Sequence, residues 1–122
     1  MMGKLQIKRV YLPVTSTDGK RILIDRLWPR GISKAKACLD EWNKEIAPSN
    51  ELRKWFQHDP EKFAEFKQKY LDELKVNPSL KEFVIQIKQA LQQENVTLLF
   101  SAKDELHNNA VVLQDYLNNE VK

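Results

Sequence analysis

Three short apolar segments carry the pattern of β-strands. From residue 5 to residue 10, apolar and polar residues alternate, which is typical of a strand with one buried face. Residues 22–24 and Val96–Phe100 are instead continuous apolar runs, as expected of strands that are buried on both faces. The connection between the first two segments is too short for a crossover helix. They therefore either pair antiparallel or lie apart in a mixed sheet.

Much of the second half of the chain has the periodicity of amphipathic helices. Asp59 followed by Pro60 is a typical helix start, and apolar residues recur at helical spacing after it. Ser79 with Glu82 has the spacing of a capping box before a further amphipathic segment. Asp104 is placed to cap a last helix near the end of the chain. These patterns predict a series of helices interrupted by Val96–Phe100.

The region between residues 33 and 47 is ambiguous. Ser33 followed by apolar residues at helical spacing predicts a helix, but residues 39–43 also fit a short strand. A helix that leads into Val96–Phe100 and a helix after it indicate α/β organisation. We therefore expect a single α/β domain over residues 1–122, with a small mixed or mostly parallel sheet flanked by helices.

Composition restricts the class of protein further. The chain has 42% hydrophobic and 30% charged residues, which argues against a disordered or low-complexity protein. Its one cysteine, Cys38, cannot form a disulfide within the chain, so we expect a reducing, cytoplasmic compartment and interpret Cys38 as a small core residue. The N-terminal residues lack a signal-peptide pattern and no stretch has the length of a membrane span, so no membrane partner is expected.

The arginines are unevenly distributed along the chain. All five lie within the first 53 residues, and every later basic side chain apart from histidine is a lysine. The planar guanidinium group suits carboxylates and phosphates, although chance and structural ion pairs explain the same distribution. The basic residues are not interleaved with aromatic residues in one stripe, so binding of nucleic acid receives only weak support.

The first group of candidate site residues follows the strand around residues 22–24. Ligands of α/β proteins bind beyond the carboxyl ends of the strands. Asp25 lies there directly after a buried run. It is either a general base, a residue that holds an arginine in place to bind an anion, or half of an ion pair that fixes the loop. Its possible partners are Arg26, Arg30 and Lys103. Arg26 and Arg30 flank Trp28 and are able to present two guanidinium groups to one phosphate or carboxylate, unless Trp28 is simply part of the core.

The second group follows Val96–Phe100. If Asp104 caps the last helix, His107 lies beside it on the first turn, which suits an acid–base pair or two ligands of a metal. A histidine in this position is also common as a cap or a surface residue. Lys103 and Asn108 add hydrogen-bond donors nearby. The chain lacks the cysteine and histidine cluster of a structural zinc site, and no metal is expected.

Two more candidates lie on either side of Trp55. Arg53 belongs to a short helix and faces either water or the site, and His58 precedes the cap Asp59. Asp59 is sufficiently explained as a cap. The chain contains no dinucleotide-binding glycine motif, phosphate-binding loop, zinc-protease motif or nucleophile elbow, so the sequence identifies no cofactor.

Three motifs resemble the YeaO-like family of bacterial domain-of-unknown-function proteins, DUF488. They are DGKRILIDRLWPRG, LDEWNKEIAPSNELRKWFQHDP and VTLLFSAKDELHNNAVVL, and the resemblance covers nearly the whole chain. It implies a small α/β domain but no particular reaction. The family's recurring signature includes the candidate residues Asp25, Arg26, Trp28, Arg30, Arg53, His58, Lys103, Asp104, His107 and Asn108.

Two functions are compatible with these patterns. The first is an enzyme acting on a small phosphate-like or nucleotide-like anion, in which Asp25, Asp104 or His107 moves a proton and the arginines position the anion. The second is a non-catalytic module that binds a small ligand, a protein or RNA. The missing nucleophile and cofactor motifs favour the second, and the polar strand ends fit both. The oligomeric state is not predicted.

Overall fold

A four-stranded sheet forms the centre of the protein, whose computed structural model describes residues 3–120. Its strands are β1 (Leu5–Arg9), β2 (Lys20–Leu23), β3 (Glu41–Trp42) and β4 (Val96–Phe100). All are parallel, in the order β1-β4-β2-β3. The α/β fold class is confirmed. The antiparallel alternative for β1 and β2 is wrong, because β4 lies between them and pairs with both.

The helices cover both faces of this sheet. They are α1 (Lys34–Ala37), α2 (Asn50–Phe56), α3 (Phe63–Lys75), α4 (Leu80–Leu91) and α5 (Asn109–Glu120), with short 3-10 turns at Ser16–Asp18 and Pro60–Lys62. The larger core takes side chains from α2, α3, α4 and α5, and the smaller core takes Ala37 of α1.

The continuous apolar runs of β2 and β4 follow from these two cores. Ile22 and Leu98 belong to the larger core, and Leu23 and Leu99 belong to the smaller one. All four side chains are fully buried. Successive residues of a strand point to opposite faces, so a strand that is covered on both faces needs apolar residues at every position.

The ambiguous region contains both a short helix and a strand. Ser33 caps α1 by accepting a hydrogen bond from the backbone N–H of Lys36 at 3.1 Å. The helix ends at Ala37, and Cys38 caps it with a left-handed φ of 47°. Strand β3 follows and pairs with β2. The strand interpretation of residues 39–43 is confirmed. The interpretation of Cys38 as a core residue is wrong, since Ala37 is the buried residue and Cys38 is exposed.

Of the predicted helix caps at Asp59 and Ser79, that of Asp59 is confirmed and that of Ser79 is wrong. Asp59 accepts a hydrogen bond from the backbone N–H of Glu61 at 3.0 Å and caps the 3-10 turn, as predicted. Ser79 precedes α4, but its side chain makes no capping hydrogen bond, so the predicted capping box is wrong. The side chain of Asn77 instead accepts from the backbone N–H of Ser79 at 2.9 Å.

A buried charged cluster lies where β2 begins. Asp18 and Arg21 are 4% and 3% exposed and form an ion pair, and Lys8 lies 3.0 Å from the Asp18 carboxylate. The guanidinium of Arg21 also donates to the carbonyls of Ala37 and Cys38. Burial acts to raise the pKa of Asp18, but hydrogen bonds from the Thr15 backbone, Lys8 and Arg21 outweigh it and lower the pKa to about 2.

Candidate functional site

A cavity of about 330 Å³ lies at the carboxyl ends of β2 and β4. Parallel strands end at the same edge of a sheet, which places the segments that follow them side by side. The segment after β2 forms one wall, Ser101 and Ala102 after β4 form a second with the start of α5, and α2 forms a third. Of the candidate residues, the cavity is lined by Asp25, Arg26, Trp28, Arg30, Arg53, His58 and Asn108.

Neutral donors hold the Asp25 carboxylate in this cavity. Its Oδ2 accepts hydrogen bonds from the backbone N–H and the hydroxyl of Ser101, at 2.9 and 2.8 Å. Its Oδ1 accepts from the side-chain amide of Asn109 at 3.1 Å. Within residues 3–120, no arginine or lysine forms a salt bridge with Asp25. The carboxylate therefore joins the end of β2 to β4 and α5 without neutralising a basic residue.

Arg26 connects the end of β2 to the segment before α2. Its Nε donates to the carbonyl of Pro48 at 2.9 Å, and one Nη donates to the carbonyl of Ala47 at 3.2 Å. The other terminal nitrogen makes no hydrogen bond to the described part of the chain. Carbonyl groups orient the guanidinium but do not cancel its charge, so Arg26 keeps both a charge and a donor at the cavity.

Arg53 brings an unpaired buried donor to the same cavity. One Nη of its guanidinium donates to the side chain of Asn50 at 3.1 Å. Its Nε is buried and, among the side-chain atoms of residues 3–120, is the one buried polar atom without a hydrogen-bond partner. A buried donor without an acceptor costs about 1–3 kcal/mol. An acceptor atom that reached this nitrogen would remove the cost, and Arg53 is one of the residues that line the cavity.

The rim of the cavity joins the loops that follow three strands. Arg30 is exposed, and its carbonyl accepts a hydrogen bond from the Tyr11 hydroxyl at 2.8 Å. Arg9 lies over the Tyr11 ring, 5.0 Å from its centroid, and donates to the carbonyls of Ser101 and Ala102. Tyr11 was not a candidate from the sequence, because no pattern around it shows that β1 lies beside β4.

Trp28 is part of both the cavity wall and the smaller core. Its indole N–H donates to the carbonyl of Ile32 at 2.9 Å, and its ring packs edge-to-face on Trp42 with centroids 5.4 Å apart. It also packs against the smaller core. The interpretation of Trp28 as a core residue therefore agrees with its packing, and contact with a ligand on the side that lines the cavity stays a prediction.

His58 and Lys103 are both exposed, but in different places. His58 lines the cavity at a turn in which Gln57 and His58 have left-handed φ angles of 47° and 57°. This turn separates α2 from the 3-10 turn that Asp59 caps. Lys103 does not line the cavity.

Asp104 and His107 form a pair outside the cavity lining. The Asp104 carboxylate lies 2.9 Å from His107 Nδ1, and the His107 ring packs edge-to-face on Phe63 at 5.2 Å. Asp104 also accepts hydrogen bonds from the backbone N–H groups of Leu106 and His107. The hydrogen bond from Leu106 is the main cause that lowers the pKa of Asp104, and His107 adds to the effect. Neither side chain of the pair lines the cavity.

Asn108, not Asp104, caps the last helix. Its Oδ1 accepts from the backbone N–H of Val111 at 3.0 Å, and its amide donates to the carbonyl of Asp104 at 2.8 Å. The residue is 1% exposed. The prediction that Asp104 caps this helix is wrong, because α5 begins at Asn109 and Asp104 caps only the turn before it.

The cavity carries an uncompensated positive charge. Arg26, Arg30 and Arg53 have no carboxylate within salt-bridge distance in the described chain. Three guanidinium groups and the carboxylate of Asp25 give these four side chains a net charge of +2. Charge that is not neutralised by the protein attracts an anion, and bidentate binding of carboxylate or phosphate is the particular capability of arginine.

Two structural findings concern metals and membranes. Within residues 3–120, no group of three or more histidine, cysteine, aspartate or glutamate side chains is arranged to hold a metal ion. None of the helices described above combines the length and apolar character needed to cross a bilayer. The cytoplasmic location expected from the sequence stays a prediction.

An α/β domain with this sequence signature belongs to the DUF488 family. The family model described as "Inactive DUF488-N3 subclade" matches residues 4–122, so the chain is a member of that subclade. It is similar to the "Uncharacterized protein YeaO" of Escherichia coli (strain K12), with 47% identity over 113 residues that cover 93% of this chain and 96% of that protein. The resemblance derived from the sequence motifs is confirmed.

A mycobacterial relative extends this similarity. The "Uncharacterized protein Rv3073c" of Mycobacterium tuberculosis (strain ATCC 25618 / H37Rv) is 36% identical over 115 residues, which cover 94% of both chains. No solved structure matches the chain.

Proposed function

We propose that this protein is a non-catalytic binding domain for a small anion, with the ligand held in the cavity at the strand ends. The observation that carries the proposal is Arg53, which lines a cavity with a net positive charge and whose buried Nε has no hydrogen-bond partner within residues 3–120. Oxygen atoms of a phosphate or carboxylate group would accept from Arg53 and from the open nitrogen of Arg26. Arg30 at the rim would attract the anion as it approaches.

Three observations favour binding over catalysis. Within residues 3–120, the Asp25 carboxylate is hydrogen-bonded only to Ser101 and Asn109, so no second titratable side chain is bonded to it as the partner of an acid–base pair. The pair of Asp104 and His107, which the enzymatic hypothesis needs as an alternative for proton transfer, does not line the cavity. The description of the subclade also contains the word "inactive".

The test compares two variants that remove one positive charge from the same helix. Arg53→Gln removes the unpaired donor, whereas Lys54→Gln changes the neighbouring exposed residue, which does not line the cavity. Calorimetric titration with inorganic phosphate at low ionic strength measures the affinity of each variant. Because a hydrogen bond to a charged group contributes about 1.5–3 kcal/mol, we expect Arg53→Gln to weaken binding at least tenfold and Lys54→Gln to change it less than twofold.

Three outcomes would contradict the proposal or a part of it. Equal weakening by both variants would show that the affinity depends on the general charge of α2 and not on the cavity. Failure of both inorganic phosphate and simple phosphate esters to bind at millimolar concentration would show that the cavity is not an anion site. Chemical conversion of a bound phosphate ester by the unmodified protein would contradict the non-catalytic part and favour the enzymatic hypothesis. Circular dichroism of each variant establishes that the fold is intact.

A further inference from the structure

We infer that the ligand carries hydroxyl groups beside its anionic group, as a polyol phosphate or sugar phosphate does. This inference rests on the proposed function, because it concerns the same cavity. Its basis is the division of the cavity into a wall of hydrogen-bond donors and a wall of hydrogen-bond acceptors.

The acceptor wall contains an amide oxygen with no partner. The Asn109 amide nitrogen donates to the carbonyl of Ile24 at 3.2 Å and to Asp25 Oδ1 at 3.1 Å. Both of these atoms are acceptors, so the nitrogen of the amide must face them and its oxygen must face away. In the described part of the chain, no group donates to this oxygen, and Asn109 lines the cavity.

Two further acceptors lie on the same wall. Asp25 Oδ1 receives one hydrogen bond, from Asn109, although a carboxylate oxygen is able to accept two. The hydroxyl of Ser101 uses its proton on Asp25 Oδ2 and keeps its own lone pairs. The side chains of Asp25, Ser101 and Asn109 therefore all have oxygen atoms that are able to accept a hydrogen bond from a ligand. Their N–H and O–H groups are already used within the protein.

The donor wall lies on the side of α2. Arg26 is bonded to the carbonyls of Ala47 and Pro48, just before α2, and Arg53 belongs to α2 itself. The acceptor residues follow β2 and β4 or begin α5. Asp25 and Arg26 are neighbours in the segment after β2, but their side chains contact different elements. The carboxylate bonds to residues after β4 and in α5, whereas the guanidinium bonds to the segment before α2. The opposite characters of the two walls match the two ends of a ligand that is anionic at one end and donates hydrogen bonds at the other.

A bare anion matches only half of this cavity. Phosphate or sulfate would satisfy the arginines, but its remaining oxygens would face the like charge of Asp25, which is unfavourable. The cavity volume of about 330 Å³ also lies within the range of small-molecule sites. Hydroxyl groups donate to carboxylate and amide oxygens without adding charge, so a hydroxylated phosphate fills both walls.

Two ligands that differ only in hydroxyl groups test this inference. Glycerol 3-phosphate and propyl phosphate carry the same anionic group on a three-carbon chain, and glycerol 3-phosphate has two additional hydroxyls. We expect the unmodified protein to bind glycerol 3-phosphate about tenfold more tightly. In Asn109→Ala this preference should fall below about threefold, and in Arg53→Gln both ligands should weaken by similar factors.

The outcomes separate this inference from the proposed function. Equal affinities for the two ligands would overturn the inference and leave an anion site. A stronger preference for 2-aminoethyl phosphate would also overturn it, because an ammonium group would then be the donor. Failure of all three compounds to bind would overturn the proposed function itself. If Asn109→Ala does not fold, the comparison of ligands on the unmodified protein still decides the question.

Discussion

Two arginines near opposite ends of β2, the buried Arg21 and the half-buried Arg53, differ in how the protein satisfies their guanidinium groups. Arg21 is 3% exposed and donates to Asp18 and to the carbonyls of Ala37 and Cys38. Arg53 has a buried Nε that donates to nothing in the described structure. The first arrangement joins β2 to the end of α1, and the second leaves an unpaired donor on a residue that lines the cavity. The hydrogen bonds that the protein itself makes to a guanidinium group therefore distinguish a structural arginine from a candidate ligand-binding arginine.

The largest expected effect is a difference in stability between two matched substitutions. Arg21→Gln leaves Asp18 buried with only Lys8 as its basic partner, so we expect the free energy of unfolding to fall by about 3 kcal/mol. Arg53→Gln removes the cost of an unsatisfied donor but also loses the hydrogen bond to Asn50. Because these two effects oppose each other, the free energy of unfolding should change by less than about 1 kcal/mol. Urea denaturation measures both values. Equal losses in the two variants would remove the distinction between the two arginines.

The charged cluster at Asp18 also predicts how stability depends on pH. The pKa of Asp18 is lowered from 3.8 to about 2, so the carboxylate is stabilising above its unfolded pKa, and this stabilisation disappears as pH falls through the folded pKa. The contribution at neutral pH is about 2 kcal/mol, lost between about pH 4 and pH 2. Asp18→Asn should lose less stability across that interval. Identical slopes for the two proteins would contradict this assignment.

The cap of α5 gives a smaller effect. Asn108→Ala removes the hydrogen bond to the backbone of Val111 and leaves the Asp104 carbonyl without its donor, so we expect a loss of about 1–2 kcal/mol in the free energy of unfolding. Asn118→Ala, an exposed position on the same helix, is the control and should change it by less than about 0.5 kcal/mol. Similar values for the two variants would mean that Asn108 is not the cap.

The smallest expected effect concerns the pair outside the cavity. His107→Ala removes the partner of Asp104 but no residue of the cavity lining, so phosphate affinity should change by less than about twofold. Calorimetric titration compares it with Arg53→Gln. A tenfold loss in His107→Ala would place the pair of Asp104 and His107 in the binding site and would revive the enzymatic hypothesis.

The sequence predicts the α/β class and most of the strands and helices, but it does not predict the order of the strands in the sheet. The apolar run at Val96–Phe100 identifies a strand covered on both faces, and the structure confirms it. Nothing local in that run shows that it inserts between β1 and β2, because neighbours in a sheet are set by long-range pairing. Residues 39–43 remained ambiguous since β3 has only two residues and follows a helix of four.

The site was predictable where it depends on the ends of strands. Asp25, Arg26 and Arg30 line the cavity because they directly follow β2. Asp104 and His107 were placed on the first turn of the last helix because Asp104 and Asn108 both fit the residue preferences of a cap. Tyr11 was missed since its position depends on the neighbour of β1 in the sheet. The role of the Asn109 amide is also visible only in its contacts.

The central claim is that the cavity holds an anion on guanidinium groups that the protein leaves unpaired. Nuclear magnetic resonance of the arginine Nε–Hε groups tests it directly, because each of the five arginines gives its own signal. During a titration with inorganic phosphate, the signal of Arg53 should shift in a saturable manner. The signal of Arg21, whose Nε already donates to Ala37 and Cys38, should stay in place. An unchanged Arg53 signal, or equal and unsaturated shifts of all five arginines, would contradict the account.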